Sequence, residues 1–357
     1  MKVVFVDSSV TGHHLAYMDA LSGVCEEALA ILPEEAESLG MRQRLCPFPR
    51  GSKRKLSAFL KWAKAVRKIV EQEKPDIVHF LTGDDFYRFF GAGLYLFARC
   101  KVVVTLHWMR GGFAGRLSTR CIARHADSVV VHSEYIQQKL SSYGIRNAVH
   151  IEYPQFGTSF YPMEEARAYW QLEQDIPVIA CIGGTRHDKG LDILIEALKQ
   201  VKKPFQLLVA GKAEHFSEAY IQEHTQSYSD CVHLHMRFLT DAELASAVCA
   251  ADVIALPYRR RFDGASGPLG DGVVHSKMIV GPNHGNLGDT IRRNHLGYTF
   301  ETENVDSLAE VLNRALGKKW IPDERYRQYQ EMLSPERFCT SYKMLYMKLL
   351  EKNKEQA

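Results

Sequence analysis

Two doubly wound α/β units in tandem are what this sequence predicts, and three observations predict them. Short apolar runs rich in Val and Ile alternate with stretches of helical spacing along the chain, the pattern of parallel strands covered by helices on both faces. At 357 residues the chain is too long for one ordinary domain of about 150 and fits two. Hydrophobic residues make up 46% of it, enough to fill two cores.

Strands of the first unit are expected near Val3–Val6, Ala28–Leu32, Ile77–Phe80, Val102–Leu106, Ser128–Val131 and Val149–Ile151. Those of the second are expected near Val178–Ile182, Gln206–Ala210, Val232–His235, Val253–Leu256 and Met278–Val280. Between them, Glu152 to Asp175, with Pro154, Gly157 and Pro162, reads as a linker holding a short helix. Pro335 to Glu351, with Phe338, Tyr342, Met344, Leu345 and Leu349, reads as a closing helix. The domains are accordingly drawn at 1–160, 161–335 and 336–357.

Composition narrows the function classes. The eight cysteines are scattered, with no C-x-x-C pair, and read as reduced side chains rather than a disulfide framework or a zinc site. The chain opens on the strand Met1-Lys-Val-Val-Phe-Val, so no signal peptide is expected, and the apolar run near Phe89 to Ala98 is too short for a membrane span. A cytoplasmic protein is expected, soluble or peripheral on the inner face of the cell membrane. Charge is uneven: residues 1–160 carry 21 Lys+Arg against 15 Asp+Glu. Much of the excess lies in Arg50, Lys53, Arg54 and Lys55 and in the helix carrying Lys61, Lys64, Arg67 and Lys68, interleaved with Phe59 and Trp62. This stretch is expected either to rest on an anionic membrane with Phe59 or Trp62 inserted, or to pack its apolar side on the sheet. No nucleic-acid reading motif accompanies the charge.

Two glycine-rich segments carry the chemistry. Asp263-Gly-Ala-Ser-Gly-Pro-Leu-Gly-Asp271 sets two carboxylates across a flexible loop ahead of an apolar strand. Its small residues let backbone N–H groups approach phosphate oxygens, a helix starting near Leu269 adds its positive end, and each acid can accept from hydroxyls. That combination fits a phosphorylated sugar. Upstream, the strand Val178–Ile182 runs into Gly183-Gly-Thr-Arg-His-Asp-Lys-Gly190 and then a helical pattern from Leu191. Arg186 and Lys189 are placed there to neutralise a diphosphate.

Together with Val102-Val-Val-Thr-Leu-His107, Ala126-Asp-Ser-Val-Val-Val-His-Ser133, Phe205-Gln-Leu-Leu-Val-Ala-Gly211, Phe238-Leu-Thr-Asp-Ala-Glu-Leu244 and Ala251-Asp-Val-Ile-Ala-Leu-Pro257, these segments resemble the retaining nucleotide-sugar glycosyltransferases of the GT-B fold, family four. The resemblance implies two Rossmann-like domains facing a central cleft, with an N-terminal acceptor domain, a C-terminal donor domain and a last helix crossing back. It implies transfer from a UDP- or GDP-sugar to a glycan or lipid-linked acceptor of the cell envelope, with no cofactor.

Carried over residue by residue, the resemblance makes His107 a contact to donor-sugar hydroxyls and sets Gly12 in the loop against the donor phosphate. Asp263 would bind sugar hydroxyls and Asp271 the ribose diol. Gly183 and Gly184 shape the turn, and Ser266, Gly267, Pro268 and Leu269 line the phosphates. Arg186 and Lys189 would stabilise the departing diphosphate in place of a metal, since no D-x-D pair is present. His13 and His14 are candidate acceptor contacts and Arg237 a candidate base contact. Two departures stand out: aspartates replace the family's usual glutamates, and Gly184 stands where an arginine is common. A related sugar-nucleotide epimerase and a catalytically silent nucleotide-sugar-binding protein are the alternatives.

Overall fold

The computed structural model describes residues 1–10, 14–51, 55–262, 264 and 266–354, the last three as backbone. Gly12, His13, Lys53, Arg54 and Asp263 lie outside the described residues. The chain divides into two compact units, Met1–Tyr153 with Pro335–Ala357, and Pro154–Ser334.

The first unit is built on a parallel sheet of order β3-β2-β1-β4-β5-β6-β7. Its strands are β1 (Lys2–Val6), β2 (Glu27–Leu32), β3 (Arg42–Leu45), β4 (Ile77–Phe80), β5 (Lys101–Leu106), β6 (Ser128–Val131) and β7 (Ala148–His150). Helices α1 (His14–Ser22), α2 (Leu56–Glu73), α3 (Gly112–His125) and α4 (Glu134–Ser142) connect them. The central strands are buried on both faces, which is why they read as continuous apolar runs. β3 escapes sequence reading because Arg42-Gln-Arg-Leu45 is a polar edge, its arginines drawn to Glu73 at 3.2 and 3.5 Å.

The aromatic residues of α2 settle between the two expectations for that helix. Phe59 and Trp62 are buried in the core, their rings 5.3 Å apart and packed with Phe48 and Phe86. The expected insertion of Phe59 or Trp62 into a membrane is therefore wrong. Packed against the sheet, both aromatic side chains are already out of water and have no apolar surface left to insert.

The second unit carries β8 (Val178–Ile182), β9 (Gln206–Ala210), β10 (Val232–His235), β11 (Val253–Ala255), β12 (Met278–Pro282) and β13 (Gly297–Phe300), parallel in the order β10-β9-β8-β11-β12-β13. Its helices are α5 (Met163–Tyr169), α6 (Leu191–Leu198), α7 (Glu218–His224), α8 (Asp241–Ala250), α9 (Gly267–Val274), α10 (Gly285–Arg293), α11 (Val305–Ala315) and α12 (Glu324–Met332). Alternate strand residues feed two cores: Val178, Ala180 and Ile182 pack toward α8 and α9, and Ile179 toward α6 and α11. β13 was not expected from sequence, since it opens on Gly297, where a Cβ would stand 2.1 Å from the Ile279 carbonyl oxygen.

The last helix, α13 (Pro335–Lys354), belongs to the first unit. Tyr342 and Tyr346 reach a buried polar network on the sheet. Tyr346 Oη pairs with His79 Nδ1 at 2.7 Å, His79 Nε2 with Thr105 Oγ1 at 2.8 Å, and Tyr342 Oη with Thr105 Oγ1 and Tyr17 Oη. Burial drops His79 to about 3, so its ring is neutral and both nitrogens are spent inside the core.

In each sheet the strand order reverses beside the first strand, between β1 and β4 and between β8 and β11. Doubly wound sheets bind ligands at the carboxyl ends of strands flanking such a reversal. The loops after β1, β4, β5, β8 and β11 are therefore where a site belongs.

Candidate active site

In the second unit the reversal brings the two glycine-rich segments together. Gly190, at φ +64°, sits so close to the loop after β11 that a Cβ there would lie 2.1 Å from the Pro257 carbonyl oxygen. Arg259 fastens the same junction: its N–H donates to the Asp188 carbonyl at 2.9 Å and its guanidinium grips Asp192. The turn after β8 and the loop leading into α9 thus form one wall.

Lys189 is at its centre. Its ammonium lies over the Tyr258 ring at 5.7 Å, and a Cβ on Gly183 would be 2.9 Å from Nζ and 4.0 Å from Pro268 Cγ. Gly183, at φ +101°, is what leaves room for the cation. Burial pulls the Lys189 pKa below its usual value, with Arg186 adding to the effect and Asp188 and Glu214 opposing it. Arg186 shares the turn but is half exposed and engaged by Asp188 through two bonds at 2.8 and 3.0 Å.

Ser266 caps α9, its hydroxyl accepting from Leu269 N–H at 3.3 Å and paired with Tyr258 Oη at 3.3 Å. Pro268 occupies the first turn, where its missing N–H costs nothing. Asp271 follows one turn later, on the side of Gly267. Its carboxylate is mostly enclosed and takes no hydrogen bond from a described side chain or N–H group. Burial pushes its pKa up to about 6; His275 lowers it and Asp241 raises it. An acceptor held this way at a helix N-terminal wall is suited to hydroxyl donors from a ligand.

Two partners here were not read from sequence. Tyr258 supports Lys189, and Glu214, from the loop after β9, covers Gly184, where a Cβ would lie 2.9 Å from the carboxylate. Thr185, buried, accepts the Glu214 N–H at 3.0 Å and holds that loop down. Nothing local marks Glu214, because only the β8–β9 pairing brings it over the turn. Arg237 is bound to Glu243 at its own helix cap, an exposed pair rather than part of this wall.

In the first unit His107 stands at the end of β5. Its N–H and that of Trp108 donate to Asp84 at 3.0 and 3.3 Å, and its Nε2 donates to the Leu81 carbonyl at 2.8 Å. Asp84 is half-buried, and desolvation lifts it to about 7. His14 lies close, with 6.3 Å between the two imidazole centroids. Its Nδ1 pairs at 3.0 Å with Asp7, a buried carboxylate that also accepts from Ser9 N–H and Thr82 Oγ1. That bond raises the His14 pKa. Asp7 and Asp84 were missed as site residues, although both follow a strand at its carboxyl end, the signal that found His107.

Two α/β domains of this architecture, with a phosphate-suited wall in the second, are those of the GT-B type. The matches to known proteins agree: residues 26–154 match the family model described as Glycosyltransferase Family 4, and residues 176–318 the model described as Glycosyl transferases group 1. The protein is a glycosyltransferase, which disfavours the epimerase and the silent binding protein. A relative from Methanocaldococcus jannaschii, the uncharacterized glycosyltransferase MJ1178, is 22% identical over 308 residues, covering 83% of this chain and 82% of its own. Among solved structures, Anabaena Alr3699/HepE in complex with UDP is similar at a TM-score of 0.69 and 16% identity, over 100% of this chain and 99% of that one. The lipopolysaccharide outer core galactosyltransferase WaaB in its apo form is similar at a TM-score of 0.70 and 13% identity, over 99% and 100%.

Proposed function

We propose that this enzyme transfers a sugar from a UDP- or GDP-sugar to a hydroxyl of a lipid-linked or cell-envelope glycan, with retention and without a metal. The observation that carries the donor reading is the mostly enclosed Asp271 carboxylate on the helix that Ser266 caps, with the Lys189 ammonium beside Gly183 in the neighbouring turn. Asp271 would accept from the ribose diol and the α9 N-terminus would face the phosphates. Lys189, held over the Tyr258 ring, would stabilise the charge that grows on the leaving diphosphate as the glycosidic bond breaks. Arg186 would join it by exchanging Asp188 for phosphate. Asp263 keeps its role as a proposed contact to the sugar hydroxyls.

In the first unit, His107 and the His14–Asp7 pair would contact sugar and acceptor hydroxyls. Retention would follow from attack on the same face that the leaving phosphate occupies, with a phosphate oxygen taking the acceptor's proton. The similarity to a UDP-bound structure and to a galactosyltransferase of lipopolysaccharide supports the donor and acceptor classes.

A panel of UDP- and GDP-sugars, each incubated with the protein and chelator while melting temperature is followed, tests this. One donor should raise the melting temperature selectively, because ligand binding stabilises the folded state by mass action. That donor should then be consumed on addition of a lipid-linked acceptor. No shift with any nucleotide sugar, or a shift and turnover seen only after adding manganese or magnesium, overturns the proposal.

A further inference from the structure

We infer that the outward face of α3, with the loop entering it, docks on an anionic lipid bilayer. From 86 to 126 the chain carries seven Lys and Arg residues and no Asp or Glu. Lys101 is paired with Asp127 at 3.1 Å. The six arginines, Arg88, Arg99, Arg110, Arg116, Arg120 and Arg124, pair with no carboxylate among the described residues. Arg116 instead lies over the Tyr143 ring at 4.9 Å, and Arg120 Nε donates to the Tyr143 carbonyl at 2.9 Å.

The same helix shows apolar side chains to water. Gly115, Ser118, Thr119, Ile122 and Ala123 point inward. The opposite face presents Phe113, 84% exposed, and Leu117, 42% exposed, with Arg116, Arg120 and Arg124 beside them. Trp108, 45% exposed, precedes them in the entering loop. A single exposed apolar residue needs no explanation, but three within ten positions on a cationic face form an interfacial pattern. The patch is also firmly built. Tyr87 Oη donates to the Trp108 carbonyl at 3.1 Å and Ser118 Oγ to the Tyr87 carbonyl at 2.8 Å. Gly115 admits the Arg110 carbonyl so closely that a Cβ would stand 2.0 Å from it.

Charge selects the occupant. A second copy meeting this face about a two-fold axis would set Arg116 and Arg120 against their own kind, which is costly without intervening acids. A bilayer with anionic headgroups offers phosphates to the guanidinium groups and a boundary in which Phe113, Leu117 and Trp108 can lie. α2, whose aromatic residues are spent in the core, offers its charge with only Leu56, at its first position, among large apolar side chains exposed to water. Because Trp108 directly follows His107, docking would bring the lipid surface to the end of β5. That gives the lipid-linked acceptor of the proposed function a physical route, but vesicle binding itself does not depend on that function.

The full-length protein should be sedimented with vesicles of phosphatidylcholine alone and of phosphatidylcholine mixed with phosphatidylglycerol, at low and high salt. Binding should require phosphatidylglycerol and weaken with salt, the field being screened within about 8 Å at physiological ionic strength. Each surface cation contributes roughly fivefold, so Arg116→Gln with Arg120→Gln should lower the partition coefficient about 25-fold. Phe113→Ser with Leu117→Ser should reduce binding further at high salt than at low salt, and Lys61→Gln with Lys64→Gln should leave it unchanged. Circular dichroism and melting temperature equal to wild type confirm that each variant is folded. The inference is overturned if wild type ignores anionic vesicles at low salt, if either α3 variant binds like wild type, or if the α2 variant is the one that fails. Gel filtration showing a dimer that Phe113→Ser dissolves would overturn it as well, by assigning the face to self-association.

Discussion

Asp271→Asn should make the protein more stable and worse at holding nucleotide, and the two effects have separate origins. Burial lifts the Asp271 pKa from 3.8 to about 6, and two units at 1.36 kcal/mol each bound the cost of ionising it at about 3 kcal/mol. The carboxylate retains some access to water, which brings the figure down to about 1–2 kcal/mol. Since the folded state binds this proton more tightly than the unfolded chain, stability declines as pH rises from about 4 to about 6 and stays lower above that range. Asparagine carries no such charge. At pH 8 the variant should therefore melt roughly 2–8 °C higher, taking about 2–4 °C per kcal/mol for a unit of this size, and the difference should vanish near pH 4. In the same scans UDP or GDP should stabilise the variant much less than wild type, because hydrogen bonds from the ribose to a charged acceptor contribute about 1.5–3 kcal/mol. Scanning fluorimetry at several pH values, with and without nucleotide, reads both. A stability difference from wild type no larger at pH 8 than at pH 4 would refute the buried-charge argument, and an unchanged nucleotide shift would remove Asp271 from the ribose.

Two further outcomes follow from the same wall. Lys189→Met should lower kcat on the order of a hundredfold with a smaller loss of UDP affinity, since the ammonium acts on charge that appears only as the bond breaks; wild-type kcat in that variant would take Lys189 out of catalysis. Gly190→Ala should cost more than about 3 kcal/mol, because a left-handed backbone and a carbonyl oxygen 2.1 Å from the new Cβ add together. Gly144→Ala, at φ +79° with nothing within 4 Å, should cost only about 1–2 kcal/mol for the backbone conformation; equal losses in chemical denaturation would mean that the contact with Pro257 contributes nothing.

Much of this molecule is written locally, and that part was legible. Strands such as Val102–Leu106 and Val178–Ile182 announce themselves because a parallel strand buried on both faces must be apolar throughout. The turn from Gly183 to Gly190 and the Ser266 cap with Pro268 are also local, since backbone conformation and helix capping depend on neighbours in sequence. β3 and β13 were hidden because a polar edge and a glycine start lack that signature.

What the sequence by itself determined, then, was two wound units, the carboxyl-end loops and the residue types able to meet a phosphorylated sugar. Tertiary structure alone decided the partners. Strand order places β11 beside β8, so Tyr258 comes under Lys189, some 70 residues before it in the chain, and pairing of β9 with β8 carries Glu214 over Gly184. It decided which aromatic residues are available as well: Phe59 and Trp62 fill a core while Phe113 faces water, though all three sit on cationic helices. Periodicity tells which side of a helix is apolar, but the sheet's packing decides whether that side is already covered.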